Sequence, residues 1–425
     1  MTNRLAWAAL WLAACGSSGN GGGSNPLDQD DDDAPAKRDA GRPVADARVD
    51  ARTTTPQIDC NGGAQDADDD GFTTADGDCD DCDPKVNPGA YDFPNDSIDD
   101  DCSGSAARTA DAQCDDALAI DSTDAQDAAR AIGLCSFADE SSRAWGVVSA
   151  RFTDSTGSGS MTDPLAAGLL PDFGAAKPSQ GSSLLALSSG VARAPDQQGY
   201  TADCDQFGST CPGFGLFGCT KGGTPPAGYP KDASSCRSAG NIFQAGTQVY
   251  NQAALELKIR VPNNASSLSF DSIFYTSEYP QFICSTYNDF FVVFKEPKPD
   301  GVADGNIVFD SNNDPIGVNT GLLTVCDPTI QDPNAKKQFT CEGGTELLAG
   351  TGYGAGENTC SLAGNLGGAS TGWLHTTAPV KGGELITIRF AIWDTNDPNL
   401  DSTVLVDNFK WSKDTSNVGT IPVVF

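Results

Sequence analysis

Nine aspartates crowd the nineteen residues DADDDGFTTADGDCDDCDP, Asp66 to Pro84. So much like charge repels itself unless something neutralises it. Asp66, Asp68 and Asp70 occupy alternate positions and Gly71 follows, which is how a calcium loop begins. Oxygens stand at positions 1, 3 and 5, glycine at 6 makes the sharp turn, and a backbone carbonyl at 7 comes from Phe72. An EF-hand would close with Glu at position 12. Here that position is Gly77, between Asp76 and Asp78, so the loop is not an EF-hand. Its closing ligands are expected from Asp76, Asp78, Asp80 or Asp83. Such hard oxygen donors favour Ca²⁺ over transition metals. The competing reading is a disordered acidic tail, which Phe72, the cysteines and NPGAYDFPND argue against. Cys79 and Cys82 also form a C-x-x-C, but a zinc knuckle needs a second pair or histidines, and a thioredoxin-type site needs a βαβ setting.

The chain that must position these residues has 425 residues and a net charge of −32. That balance excludes nucleic acid as a partner, because phosphate binding needs a basic surface. It favours cations. Fifteen cysteines with one histidine and two methionines point to a disulfide-bearing exported protein. Arg4 followed by the apolar run from Leu5 to Ala14 reads as a secretory signal, too short to span a bilayer. Leu12-Ala13-Ala14-Cys15-Gly16 resembles the bacterial lipoprotein signal, which implies lipidation of Cys15 and a lipid anchor as the membrane contact. Setting Cys15 aside leaves fourteen cysteines, enough for seven bridges. Residues 16–57 have too few large apolar groups to order themselves and read as a disordered Gly/Ser/Asp tether. The four aspartates Asp30–Asp33 read as a solvated spacer.

Residues 58–105 form a small acidic, Cys-bearing module, short of apolar residues and in need of bridges or metal. From residue 106 to 425 the composition is globular. One short helix is expected after an N-cap at Thr123, with Ala125, Ala128, Ala129 and Ile132 on its apolar face. Strands then dominate. ALELKIRVP alternates Leu255, Leu257, Ile259 and Val261 inward against Glu256, Lys258 and Arg260. GGELITIRFAIWD repeats the pattern with Ile386, Ile388, Phe390 and Ile392. DFFVVFKE and NIVFD read as strands covered on both faces. The expectation is a mainly β fold, a β-sandwich or jelly roll, in which Thr403, Leu405, Asp407, Phe409 and Trp411 share one strand face.

The stretch DGDCDDCDPKVNPGAYDFPNDSIDDDCSG, Asp76 to Gly104, resembles the metal-binding repeat of MopE-like bacterial surface proteins. Its pattern runs D-C-D-D-x-D-P-x-V-x-P-G-A-x-E, then C-D-G-I-D-N-D-C-D-G. The resemblance adds Asp99 and Asp101 as ligands and implies copper as well as calcium; the absence of His and Met from the stretch favours calcium. Asn95 replaces a motif cysteine, and Cys82, which is extra, is expected to take over its bridge. A second resemblance covers most of the remainder. SEYP (Ser277–Pro280), NDF (Asn288–Phe290), DTND (Asp394–Asp397) and DNF (Asp407–Phe409) are similar to the choice-of-anchor L domain of bacterial surface proteins. It implies an extracellular ectodomain with no established activity. A second cation site is expected from Asp407 with Glu278 or Asp289; the alternative is that Asp407 caps a loop through backbone amides. Tyr275, Tyr279 and Trp393 form either a sugar platform or core. His375 is the one histidine, with no G-x-S-x-G elbow to serve.

The sequence thus reads as an exported protein held at the bacterial outer membrane or cell surface by lipid. It is a calcium-binding, non-catalytic adhesion or ligand-binding ectodomain whose partner is a glycan or a surface protein. The alternatives are a secreted carboxylate-dependent hydrolase and a purely structural envelope component.

Overall fold

A computed structural model describes residues 60, 63–107, 113–201, 223–237, 248–330, 332, 335–337, 339–357, 367–396 and 398–423. The expected signal, Cys15 and the tether lie outside them, as do Cys204, Cys211 and Cys219.

The alternating segments become two antiparallel sheets. One runs β1 (Gly146–Thr153), β4 (Val249–Arg260), β11 (Leu385–Thr395), β6 (Phe290–Glu296) and β7 (Ile316–Gly317). The other runs β13 (Gly419–Pro422), β10 (Leu374–Pro379), β5 (Ser267–Thr276), β12 (Ser402–Ser412), β3 (Leu184–Ser188) and β2 (Ala167–Leu170). There β9 (Ala369–Ser370) also pairs with β5, and β8 (Val325–Cys326) pairs with β9.

Leu255, Leu257 and Ile259 of β4 and Ile386, Ile388, Phe390 and Ile392 of β11 pack with Leu268, Phe270 and Phe274 of β5 and Val404 and Val406 of β12. Phe270 and Phe390 meet edge to face at 5.1 Å between the sheets. On the other face of β4, Glu256 lies in register with Arg151 and Arg389 and accepts from both, at 2.9 and 2.8 Å. Opposite charges on adjacent strands reinforce that register. Strand β6 is buried on both faces: Phe291 and Val293 in the central core, Phe290, Val292 and Phe294 in an outer cluster with Tyr229 and Trp393. Tyr275, Tyr279 and Trp393 are core residues, at most 1% exposed.

Four expectations change. Residues 306–310 make only isolated bridges, Phe294 with Asn306 and Phe309 with Pro315. Helix α1 (Ala125–Ala131) is capped by Asp124, not Thr123, through the Gln126 N–H at 2.9 Å; its four expected apolar positions are all buried. A second single-turn helix, α2 (Ser234–Arg237), is bridged to the sandwich by Cys236–Cys284. Strand β12 does not keep one face: its pairing with β5 shifts between Asp407 and Lys410, around Asn408 at φ +59°. Leu405 therefore faces an outer cluster while Phe409 and Trp411 join Val404 and Val406 in the central core. A one-residue slip exchanges faces because side chains alternate with period two.

Phe390→Ala should destabilise the fold by about 3–5 kcal/mol, since it opens a cavity between the sheets. Ile421→Ser, at a residue 63% exposed, should stay within about 0.5 kcal/mol. Urea denaturation of both variants checks this.

Candidate metal centre

The acidic loop holds its shape through its own carboxylates. Gly71 N–H donates to Asp66 Oδ2 (2.8 Å), Asp70 N–H to Asp68 Oδ1 (3.2 Å), Phe72 N–H to Asp70 Oδ1 (2.7 Å) and Asp80 N–H to Asp78 Oδ1 (2.8 Å). Gly71 makes the turn at φ +99°, a conformation side chains other than hydrogen resist. Each carboxylate thus spends one oxygen on the backbone. The other oxygens, Asp66 Oδ1, Asp68 Oδ2, Asp70 Oδ2 and Asp78 Oδ2, are buried without a hydrogen-bond partner. Two triads, Asp66/Asp68/Asp70 and Asp68/Asp78/Asp81, have ligand atoms within 4.8 Å of one another and share Asp68. Asp81 is fully buried and accepts from Ala67 N–H at 3.1 Å.

Burial raises the pKa of Asp70 to about 6, with Asp68, Asp78 and Asp66 adding repulsion. Asp68 and Asp78 shift upward for the same reasons, burial first. Carboxylates that resist ionisation beside one another suit a cation, whose charge removes the repulsion.

A third triad joins Asp92, Asp99 and Asp101. Ser103 N–H donates to Asp99 and Asp101, both at 3.0 Å, and Gly104 N–H to Asp99 at 2.8 Å. Burial, then Asp101 and Asp100, raise Asp92 against the bond it accepts from Asp100 N–H.

Of the expected ligands, Asp66, Asp68, Asp70 and Asp78 come together, as do Asp99 and Asp101. Asp76, Asp80 and Asp83 are exposed and outside the triads; Asp76 bonds Thr73 and Asp83 holds the Lys85 N–H. Phe72 contributes a buried ring beneath the Arg143 guanidinium at 5.5 Å. Asp81 and Asp92 were not among the expected ligands. Their signal lay in the motif itself, as the last Asp of D-C-D-D and the acidic residue of A-x-E.

Bridges Cys79–Cys102 and Cys60–Cys82 staple the module. Cys82 therefore reaches back to Cys60 instead of standing in for Asn95. Asparagines of the sandwich grip its other side. Asn264 accepts from Tyr91 N–H and donates to Tyr91 O, both at 2.9 Å, and Asn263 N–H donates to Gly89 O at 3.0 Å. Lys413 binds Asp96 at 2.6 Å and Asp100 at 3.1 Å. Where module meets sandwich, Tyr91, Phe93, Trp145, Gln180, Phe409 and Trp411 line a cavity of about 410 Å³.

The second expected site is not assembled as written. Asp407 Oδ2 accepts from Ser179 N–H (2.6 Å), Ser179 Oγ (3.1 Å) and Gln180 N–H (3.2 Å), so it caps a loop. Burial raises its pKa to about 6 despite those bonds. Glu278 and Asp289 lie at the far end of β12, six residues or about 20 Å away along a strand, beside Asp394 and Asp401. His375 Nδ1 pairs with Asp271 Oδ1 at 2.7 Å.

Fold and site together define a β-sandwich that carries a disulfide-stapled, acidic module whose carboxylate clusters could hold a cation. Residues 229–410 match the family model of the choice-of-anchor L domain, and residues 78–107 match the model described as a "putative metal-binding motif", the MopE type. No curated protein and no solved structure matches the chain. The first match points to a surface-associated protein and the second to a metal-binding motif. No helix of the described residues is long and apolar enough to cross a membrane.

Asp68→Asn, at the corner shared by two triads, should weaken divalent-cation binding at least about tenfold, ~1.4 kcal/mol, and Asp76→Asn should barely change it. Affinity should fall as pH drops through about 6, where Asp70 takes up a proton. The metal-free fold should gain stability over the same fall, because a raised folded pKa means the folded state binds more protons than the unfolded one. Calorimetric titration and thermal melts at pH 7.5 and 5 check both.

Proposed function

We propose that the protein is a lipid-anchored, calcium-binding ectodomain that acts at the cell surface as a non-catalytic adhesion or ligand-binding protein. The observation that carries this is the set of four inward carboxylate oxygens, on Asp66, Asp68, Asp70 and Asp78, that lack a hydrogen-bond partner. Calcium suits them: it takes six to eight oxygens in flexible geometry, while copper and zinc prefer nitrogen or sulfur. Lipidation at Cys15, with residues 16–57 as tether, supplies the attachment, at the outer membrane or the outer cell surface.

The cavity between module and sandwich supports the ligand-binding reading. Its aromatic walls suit the apolar face of a sugar or an apolar side chain of a surface protein. Tyr91 and Phe93 flank Asp92, so an ion on Asp92, Asp99 and Asp101 would also fix one wall of that cavity.

Chelation should lower the melting temperature of the full chain, and calcium should restore it; an unchanged melt would sink the calcium reading. Cys15→Ala should move the protein from the membrane fraction to the soluble one. A glycan array probed with and without calcium should show calcium-dependent retention if the ligand is a sugar.

A further inference from the structure

Four carboxylates from both sheets meet at one end of the sandwich. Glu278 lies two residues beyond β5, Asp289 just before β6, Asp394 near the end of β11 and Asp401 just before β12. The register explains why. Trp393 pairs with Phe290, which sets Asp394 opposite Asp289, and Ser402 pairs with Thr276, which sets Asp401 opposite Ser277. Ser277 N–H donates to Asp401 O at 3.2 Å. The sheets are tied together here, since Ser402 Oγ of β12 donates to Asp289 Oδ2 at 2.6 Å. All four residues are at most 3% exposed. Gly190 is needed beside them: a Cβ there would stand 1.7 Å from Asp401 Oδ2.

Asp394 is the informative member. Its Oδ2 accepts from Asn251 Nδ2 at 3.1 Å, while its Oδ1 is buried with no hydrogen-bond partner. The neighbouring charges that act on it, Asp289, Asp401 and Glu278, are all acidic, and with burial first they push its pKa far up. The hydrogen bonds of this carboxylate with Asn251 and with the Ser189 side chain offset that only in part, and Oδ1 has lost its water for neighbours that repel it.

We infer that this nest is a second divalent-cation site, separate from the acidic module, in which Asp394 Oδ1 is a ligand and Asp289, Asp401 and Glu278 supply the remaining carboxylates. Oxygen-only donors assign it to calcium. The nest is wider than the module's clusters, for no three of its ligand atoms lie within 4.8 Å of one another. An ion therefore draws the strand ends inward and clamps the two sheets.

The test uses the full chain with the module disabled by Asp68→Asn and Asp99→Asn. Calorimetric titration with calcium chloride should find one remaining bound ion, and calcium should raise the melting temperature. Adding Asp394→Asn, which keeps the shape and removes the charge, should weaken that binding at least tenfold and abolish the calcium-dependent shift. The metal-free melt of this variant should not drop. Calcium binding to the unmodified chain but not to the module-disabled chain overturns this site and leaves the module's reading intact. Unchanged affinity after Asp394→Asn, or a lower metal-free melt, also overturns it, the latter because Asp394 would then serve the fold and not an ion. Asp401→Asn repeats the measurement on a second strand.

Discussion

A carboxylate taken out of water must meet a counter-charge or a set of donors, and a chain of net charge −32 has few cations to offer. Most of the buried acids in this fold meet donors. Asp115 takes the N–H groups of Ser182 and Ser183 at 2.6 and 2.7 Å. Asp314 takes Ser234 N–H and Oγ and Ser235 N–H. Asp407 takes two amides and a hydroxyl from the 179–180 turn. A few meet a cation of the chain, as Asp100 meets Lys413. Acids that keep one buried oxygen without a hydrogen-bond partner gather chiefly in two places, the module, where each commits its other oxygen to the backbone, and the strand-end nest at Asp394. That contrast, more than the number of aspartates, separates a ligand set from a capping residue.

The module depends on the rest of the chain for its shape. Among the described residues its buried apolar side chains are Phe72, Val86 and Ala90, too little surface for a self-sufficient core. Two bridges restrict its unfolded state, and Asn263, Asn264 and Lys413 hold its second half on the sandwich. Phe72 packs so closely on Gly89 that a Cβ there would come within 2.9 Å of its ring. The first ligand loop, through Phe72, and the Asp92 triad, through Tyr91, are therefore both seated on parts of the same contact. A cation bound in either place stiffens the junction and not merely a surface loop.

Much of this was legible in the residue pattern. Alternation gave the faces of β4 and β11, continuous apolar runs gave the doubly covered β6, and the 66/68/70 spacing with Gly71 marked the turn that the backbone adopts. The misses share a cause. The faces of β12 and the role of Asp407 both hinge on a bulge at Asn408, and one inserted residue leaves no trace in hydropathy. Asp394 falls in the DTND motif and Asp401 four residues after it, but nothing in the sequence groups them with Glu278 and Asp289, because only the register of β6 on β11 and of β5 on β12 brings those strand ends together. Pairing of Cys82 with Cys60 was hidden for a similar reason: spacing limits which cysteines can meet, but the fold decides which do.

The two acidic clusters differ in how water reaches them, and that difference bears on what each can do. Asp66, Asp68 and Asp70 are half-buried at the rim of a loop, so on the proposed reading an ion there would stay near solvent and could exchange with its surroundings. Glu278, Asp289, Asp394 and Asp401 are closed off between strand ends, where an ion could leave only if the sheets part. By this reasoning the module is the part able to respond to its surroundings. The strand-end nest, with the ion inferred for it, would instead belong to the stability of the sandwich on which the module stands.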